Sequence, residues 1–289
     1  MRQYFSVVCM ICLGVFLFSG CASVPTPSLL HTSETWETQQ ANIQNAALFN
    51  DSYVFWRSKD LKAVETHYGK SMQSGQDYMK LVSDSLAQQG MNVSNTFFSI
   101  AATENPNVIV QVVEAPDGGE IASLEPPLLI PDAMADDPNA RKTLSTIFRR
   151  LVSAGQPPKG ETFNLDTLAL TQEELDVLNT YTEADTYVFA SEFILAKRGN
   201  EMGRTIGKAA ATSVLTLGML SWTKQYFFPS TLRVLYVDAK TGTPLRYMQQ
   251  TYPHKEMETE ENRKKMVEDC FTYPQKKSGG SSAKTRKKR

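Results

Sequence analysis

The chain has one long apolar run, and it stands at the very beginning. Arg2 is followed by Val7-Val8-Cys9-Met10-Ile11-Cys12-Leu13-Gly14-Val15-Phe16-Leu17-Phe18, then by Ser19-Gly20 and Cys21. A positive residue, an apolar stretch too short to span a bilayer comfortably and small residues before a cut are the parts of a removable export signal, here residues 1–20. The remaining 269 residues are expected to fold outside the cytoplasm, and to do so without an internal disulfide. Cys9 and Cys12 leave with the leader, and apart from Cys21 only Cys270 remains. A chain of this length can bury a core by apolar packing alone. Cys270 is expected to be a half-buried helix residue.

Leu17-Phe18-Ser19-Gly20-Cys21 resembles the bacterial lipobox, with Phe18 where Leu is usual three positions before the cysteine. The resemblance implies that the Cys21 thiol is diacylated and becomes the new N-terminus. Each buried CH₂ of acyl chain contributes about 0.8 kcal/mol, so two or three chains hold a protein to a membrane. Ala22, rather than Asp, after the cysteine implies the periplasmic face of the outer membrane.

Residues 21–50 read as the lipidated cysteine and a tether, extended at Pro25 and Pro27, with Trp36, Ile43, Leu48 and Phe49 packing back onto the body. The body is expected over 51–274. Ser52–Arg57 is aromatic and β-branched, a strand pattern; Tyr78, Met79, Val82 and Leu86 share a helix face over 75–89, which Gly90 ends. Thr96–Ile100 and Val108–Val113 read as strands. A Pro- and Gly-rich loop fills 115–138, a helix 139–154 ends at Gly155, and Thr171-Gln172-Glu173-Glu174 resembles a capping box opening another helix. The clearest strands are Asp185–Leu195 and Thr231–Asp238. The second of these turns through Asp238–Thr243 into Leu245–Gln249. A charged helix is expected over 256–271. The fold class is therefore α/β (α+β): a mixed sheet flanked by helices, with a C-terminal antiparallel hairpin followed by a helix.

Ala184-Asp185-Thr186-Tyr187-Val188, Tyr236-Val237-Asp238-Ala239-Lys240-Thr241-Gly242 and Leu86-Ala87-Gln88-Gln89-Gly90 occur in an order that is similar to one lipoprotein group. These are the bacterial lipoproteins with an anticodon-binding-like α/β domain: penicillin-binding-protein activators, the curli secretion lipoprotein and the N-terminal domain of the Tol–Pal propeller protein. The resemblance spans 50–252 discontinuously and its motifs are structural. It implies a fold and an envelope setting, with assembly work beside a cell-wall synthase, secretion or appendage machine.

Chemistry-bearing patterns are sparse. His31, His67 and His254 lack a second His or Cys at metal-ligand spacing, and no nucleophile elbow or phosphate-binding Gly-rich loop occurs. Glu173-Glu174 and Glu260-Glu261 are sequence neighbours that point about 100° apart on a helix, so they read as solvated faces. No catalytic residue, cofactor or metal is expected. The insertion 199–229 carries a small-residue and apolar segment at 205–228. Val214, Leu215, Leu217, Leu220 and Trp222 in it are candidate membrane or oligomer contacts. This leaves a pore-forming or channel-associated oligomer as the alternative to a binding module, with a periplasmic hydrolase behind both. Over 275–289 a flexible tail holds Lys276, Lys277, Lys284, Arg286, Lys287, Lys288 and Arg289, candidate contacts to an anionic surface, while the body is acidic. Expected partners are the membrane through the lipid, another envelope protein and a second copy of the chain. Nucleic acid is not among them.

Overall fold

The computed structural model describes residues 29–57, 64–104, 110–113, 122–155, 162–195, 229–253 and 259–272. Nine strands among them form one mixed sheet: β1 (Leu29–Thr32), β2 (Asn45–Arg57), β3 (Val64–His67), β4 (Asn92–Ile100), β5 (Val110–Val113), β6 (Ala122–Leu124), β7 (Thr186–Leu195), β8 (Pro229–Asp238) and β9 (Pro244–Pro253). The helices are α1 (Trp36–Gln40), α2 (Tyr68–Gln88), α3 (Pro138–Ala154), α4 (Gln172–Tyr181) and α5 (Glu260–Thr272), with short 3₁₀ turns at Asp132–Met134 and Leu165–Leu168. The expected class holds: a mixed sheet flanked by helices, closing on an antiparallel hairpin and a helix.

The sheet runs β1-β9-β8-β7-β2 and then divides. Along Asn45–Ser52, β2 pairs in parallel with β4; along Phe55–Arg57 it pairs antiparallel with β3, from which β5 and β6 continue. On its other side β2 runs parallel to β7, and β7, β8 and β9 form an antiparallel meander capped by β1.

Period-two alternation explains why the sheet is covered on both sides. Ala46 and Leu48 join Val188, Val234 and Tyr236 beneath α2 and α5, together with Tyr78, Val82, Leu86, Met266 and Val267. Ala47 and Phe49 join Tyr187, Phe189, Leu235 and Val237 beneath α3 and α4, with Leu144, Phe148, Leu151, Leu175 and Leu178. Phe49 lies between Phe97 and Phe189, ring centroids 4.6 and 5.1 Å away. Strands buried on both faces read as near-continuous apolar runs, which is the pattern of Tyr187–Ala190 and Leu232–Val237.

Several expected boundaries move. The body reaches back at least to Leu29 rather than starting at 51: β1 is hydrogen-bonded to β9, and Trp36, Ile43, Leu48 and Phe49 are core residues. The first long helix begins at Tyr68 rather than 75, because its first turns face buried polar groups and carry Ser71, Ser74 and Gly75 where an apolar stripe would otherwise be read. Within the expected loop 115–138, β6 and a 3₁₀ turn are ordered. The capping box is present: Glu174 N–H donates to Thr171 Oγ1 (3.2 Å) and Thr171 N–H to Glu174 Oε2 (2.9 Å). Glu174 is nevertheless not on a solvated face. It is buried and ion-paired to Arg150, which also donates to the Ala169 carbonyl. Cys270 is likewise fully rather than half buried, on α5 among the residues that pack it onto Tyr236 and its neighbours in the sheet. The hairpin turn is as expected, with Gly242 at φ +71° and Asp238 Oδ1 accepting from the amides of Lys240 and Thr241.

Candidate functional site

Cross-strand register carries two polar rows through the middle of the sheet. On the α3 side the row is Ser99, Asp51, Ser191, Arg233 and Gln249, each directly opposite the next on β4, β2, β7, β8 and β9. All five are buried. On the α2 side, one residue further along the strands, Ser52 lies opposite Glu192. Apolar packing lies on either side of both rows, so each polar group has to find its partners inside the protein.

Asp51 is held by the loop that follows β4. Ser99 Oγ and the Ala102 amide donate to Asp51 Oδ1, both at 2.9 Å, and the Thr103 amide donates to Oδ2 at 3.2 Å. Ala101 turns the chain for this with φ +59°, a left-handed conformation that disfavours a side chain. Burial pushes the Asp51 carboxyl up to about 6, and the hydrogen bonds from Ala102, Ser99 and Thr103 oppose that rise. Beside it, Tyr53 OH donates to Glu104 Oε2 at 3.0 Å.

Further along the same row Arg233 Nε and Tyr247 OH both donate to Gln249 Oε1, at 3.1 and 2.8 Å. Burial pulls the guanidinium's pKa down and pushes the Tyr247 phenol up to about 12. Among the described residues Arg233 Nη1 and the adjacent Ser191 Oγ find no hydrogen-bond partner. The C-terminal end of α3 comes down here at Gly155, and the carbonyls of a helix end favour a nearby cation.

On the other face Ser52 Oγ donates to Glu192 Oε2 at 2.8 Å, and Ser74 Oγ lies 2.9 Å from both carboxyl oxygens. Burial pushes Glu192 up to about 8, with the two serine hydroxyls opposing it, so the group is a neutral acid at neutral pH. The Asp77–Arg263 ion pair at 2.6 Å ties α2 to α5 nearby, and Tyr78 OH meets Met266 Sδ at 3.4 Å. A protonated carboxyl does not activate a serine as a base would, and the three side chains are sealed under α2. The Cys270 thiol, pushed up to about 12 by burial, is held in the unreactive protonated form. Among the described residues no group of three or more His, Cys, Asp and Glu could hold a metal ion.

Cys21, Val214, Leu215, Leu217, Leu220, Trp222 and the tail residues Lys276, Lys277, Lys284, Arg286, Lys287, Lys288 and Arg289 all lie outside the described residues. No described helix is long and apolar enough to cross a membrane. His31 stacks on Phe163 with ring centroids 4.0 Å apart, His67 ends β3, and His254 is outside the described residues. The structure brings together Asp51, Ser191, Arg233 and Gln249 on one face and Ser52, Ser74 and Glu192 on the other. Motif reading missed both sets. The local signal is a charge at the inward phase of an apolar strand: Arg233 within Leu232–Leu235, and Glu192 within Tyr187–Leu195.

No family model matches the chain, and no curated protein or solved structure matches it either.

Proposed function

We propose that this chain is a lipoprotein anchored through Cys21 to the periplasmic face of the outer membrane. Its α/β body acts there as a binding or assembly factor for an envelope machine. The observation that carries this reading is how near to Cys21 the described body comes. Leu29, the first residue of β1, is eight residues after Cys21, and β1 forms one edge of the sheet. Eight residues reach at most about 28 Å, so a lipid on Cys21 holds the β1 edge close to the membrane surface. The opposite edge, β4, is five strand spacings away, about 24 Å, and faces outward as the surface available to a partner. Confinement to a thin layer raises a partner's effective concentration without adding any contact.

A binding role is also supported by the state of the buried acids, whose lone pairs are taken up by the fold's own donors. The similarity of the Ala184–Val188 and Tyr236–Gly242 motifs to envelope assembly lipoproteins favours partners in cell-wall synthesis, secretion or appendage building. The pore alternative rests on 205–228, outside the described residues.

The test is in cells. Mass spectrometry of the mature protein should find acyl chains on Cys21 and no leader. Cross-linking in the envelope should capture a partner protein, and Cys21→Ser should release the chain from membranes and reduce that capture by at least tenfold. An unmodified N-terminus, or capture indifferent to Cys21→Ser, overturns the reading.

A further inference from the structure

Two donors are left over in the polar row beneath the end of α3. Ser191 and Arg233 lie directly opposite each other on β7 and β8, with their side chains on the α3 face. Ser191 is 0% and Arg233 2% exposed, and among the described residues Ser191 Oγ and Arg233 Nη1 have no hydrogen-bond partner. Two residues along the strands, on the same face, the buried hydroxyls of Thr231 and Thr251 lie 3.2 Å apart. One of them donates to the other, which leaves the accepting hydroxyl's own proton uncommitted among the described residues. Spare donors therefore collect around Arg233.

The guanidinium also lacks a counter-charge. Arg150 is paired with Glu174, Arg263 with Asp77, and Arg246 lies over the Trp36 ring at 5.2 Å from its centroid. Among the described residues Arg233 has only the neutral Gln249 and Tyr247 beside it. Asp51, the carboxyl of the same row, is two strand spacings away, about 10 Å, and its oxygens are bonded to Ser99, Ala102 and Thr103. The end of α3 offers about half a negative charge. A full charge held out of water is costly unless an opposite charge meets it. A buried water would take up spare protons, but it supplies no charge.

We infer that Ser191 and Arg233 form a binding site for a small oxyanion, a carboxylate or a phosphate. Gln249 accepts from Arg233 Nε and so fixes the guanidinium plane, leaving Nη1 to donate to an anion's oxygen while Ser191 donates from the strand opposite. The position agrees with this use. Ser191 opens the carboxyl-terminal half of β7, which runs parallel to β2, and open sheets meet their ligands at the carboxyl ends of parallel strands. The inference goes beyond anchoring at Cys21 and does not depend on it.

Thermal melting of the full chain, dialysed into sodium chloride at pH 7, tests this with sodium acetate and sodium phosphate as probes at matched ionic strength. The parent should melt at least about 4 °C higher in one or both than in chloride, and the anion that does so names the head group as carboxylate or phosphate. Arg233→Met should lose that rise. Ser191→Ala removes a hydroxyl with no partner among the described residues, so it should melt within about 1 °C of the parent in chloride and show at most half of the rise. Lys142→Met, which removes one exposed positive charge, should keep the rise in full. Where Arg233→Met melts far below the parent in chloride, Ser191→Ala decides. No rise in either anion, a rise that Arg233→Met or Ser191→Ala keeps in full, or one that Lys142→Met loses as well, each overturns the proposal.

Discussion

Each face of the sheet buries one carboxyl group near its middle, and the two are held by different kinds of donor. Asp51, facing α3, takes two of its three hydrogen bonds from main-chain amides fixed by the turn at Ala101. Glu192, facing α2, makes all of its hydrogen bonds with serine hydroxyls. Amides cannot be re-aimed without moving the chain; hydroxyls rotate to suit whatever acceptor is near. This difference accords with the two carboxyls' acidity. Both are pushed up by burial, but Asp51 only to about 6 and Glu192 to about 8. The first site is an organiser of backbone; the second is a neutral filler between a strand and a helix.

The largest effect should come from removing the carboxyl that organises backbone. Asp51→Leu leaves the Ala102 and Thr103 amides buried without their acceptor, at a cost of about 3 kcal/mol. Glu192→Leu strands only hydroxyls that can turn to nearby carbonyls, and should cost about 1 kcal/mol. Urea unfolding of the two variants measures the gap. Equal losses would break the distinction between the faces.

A second comparison sits where a helix meets each row. A Cβ on Gly75 of α2 would lie 2.0 and 2.4 Å from Cε2 and Cζ of Phe98 and 2.9 Å from Cβ of Ser52. On Gly155 it would lie 2.1 Å from Gln249 Oε1, 2.6 Å from Tyr247 Oη and 2.8 Å from Arg233 Nε. Gly75→Ala should destabilise by about 2 kcal/mol, since a ring wedged between helix and strand and the root of a strand side chain must both shift. Gly155→Ala should cost less, about 1 kcal/mol, if Gln249 can swing aside from its end. It should also separate Arg233 from Gln249, raising the susceptibility of the 229–253 hairpin amides to hydrogen exchange more than Gly75→Ala does.

How much of this was legible in the sequence follows from where the information resides. Elements whose signal is local were readable: the alternation of β7 to β9, the box at Thr171 and Glu174, and the apolar period of α3. The start of α2 was not, because Ser71, Ser74 and Gly75 face a buried acid and a close strand, and that contact replaces the apolar stripe on which periodicity depends. The polar rows were not readable either. Asp51, Ser191, Arg233 and Gln249 become neighbours only through the register of four strands, and no spacing along the chain encodes that. Glu174 was misjudged for a similar reason: its burial is set by Arg150 on another helix. Cys21 is the opposite case, a candidate site written wholly in local sequence, in residues outside those described.

A pH series tests the acidity of Glu192 directly. Its folded pKa, about 8, lies above its ordinary value of 4.5, so between those values the folded chain holds a proton that the unfolded chain has lost. With fewer protons on the unfolded state, stability falls as pH rises, by at most about 1.4 kcal/mol per pH unit; the fall begins above pH 4.5 and ends once pH passes about 8. Asp51 adds to the same trend only up to about pH 6, where its own titration ends. Glu192→Gln keeps an acceptor for the serines and cannot ionise. At pH 5 the variant should lie within about 1 kcal/mol of the parent. It should gain on the parent steadily from pH 6 to 8, then run parallel to it. Urea midpoints at pH 5, 6, 7 and 8 read this out, with Asp51→Asn alongside. If the parent and Glu192→Gln stay parallel across that range, Glu192 is ionised in the folded protein and the two faces hold their acids alike.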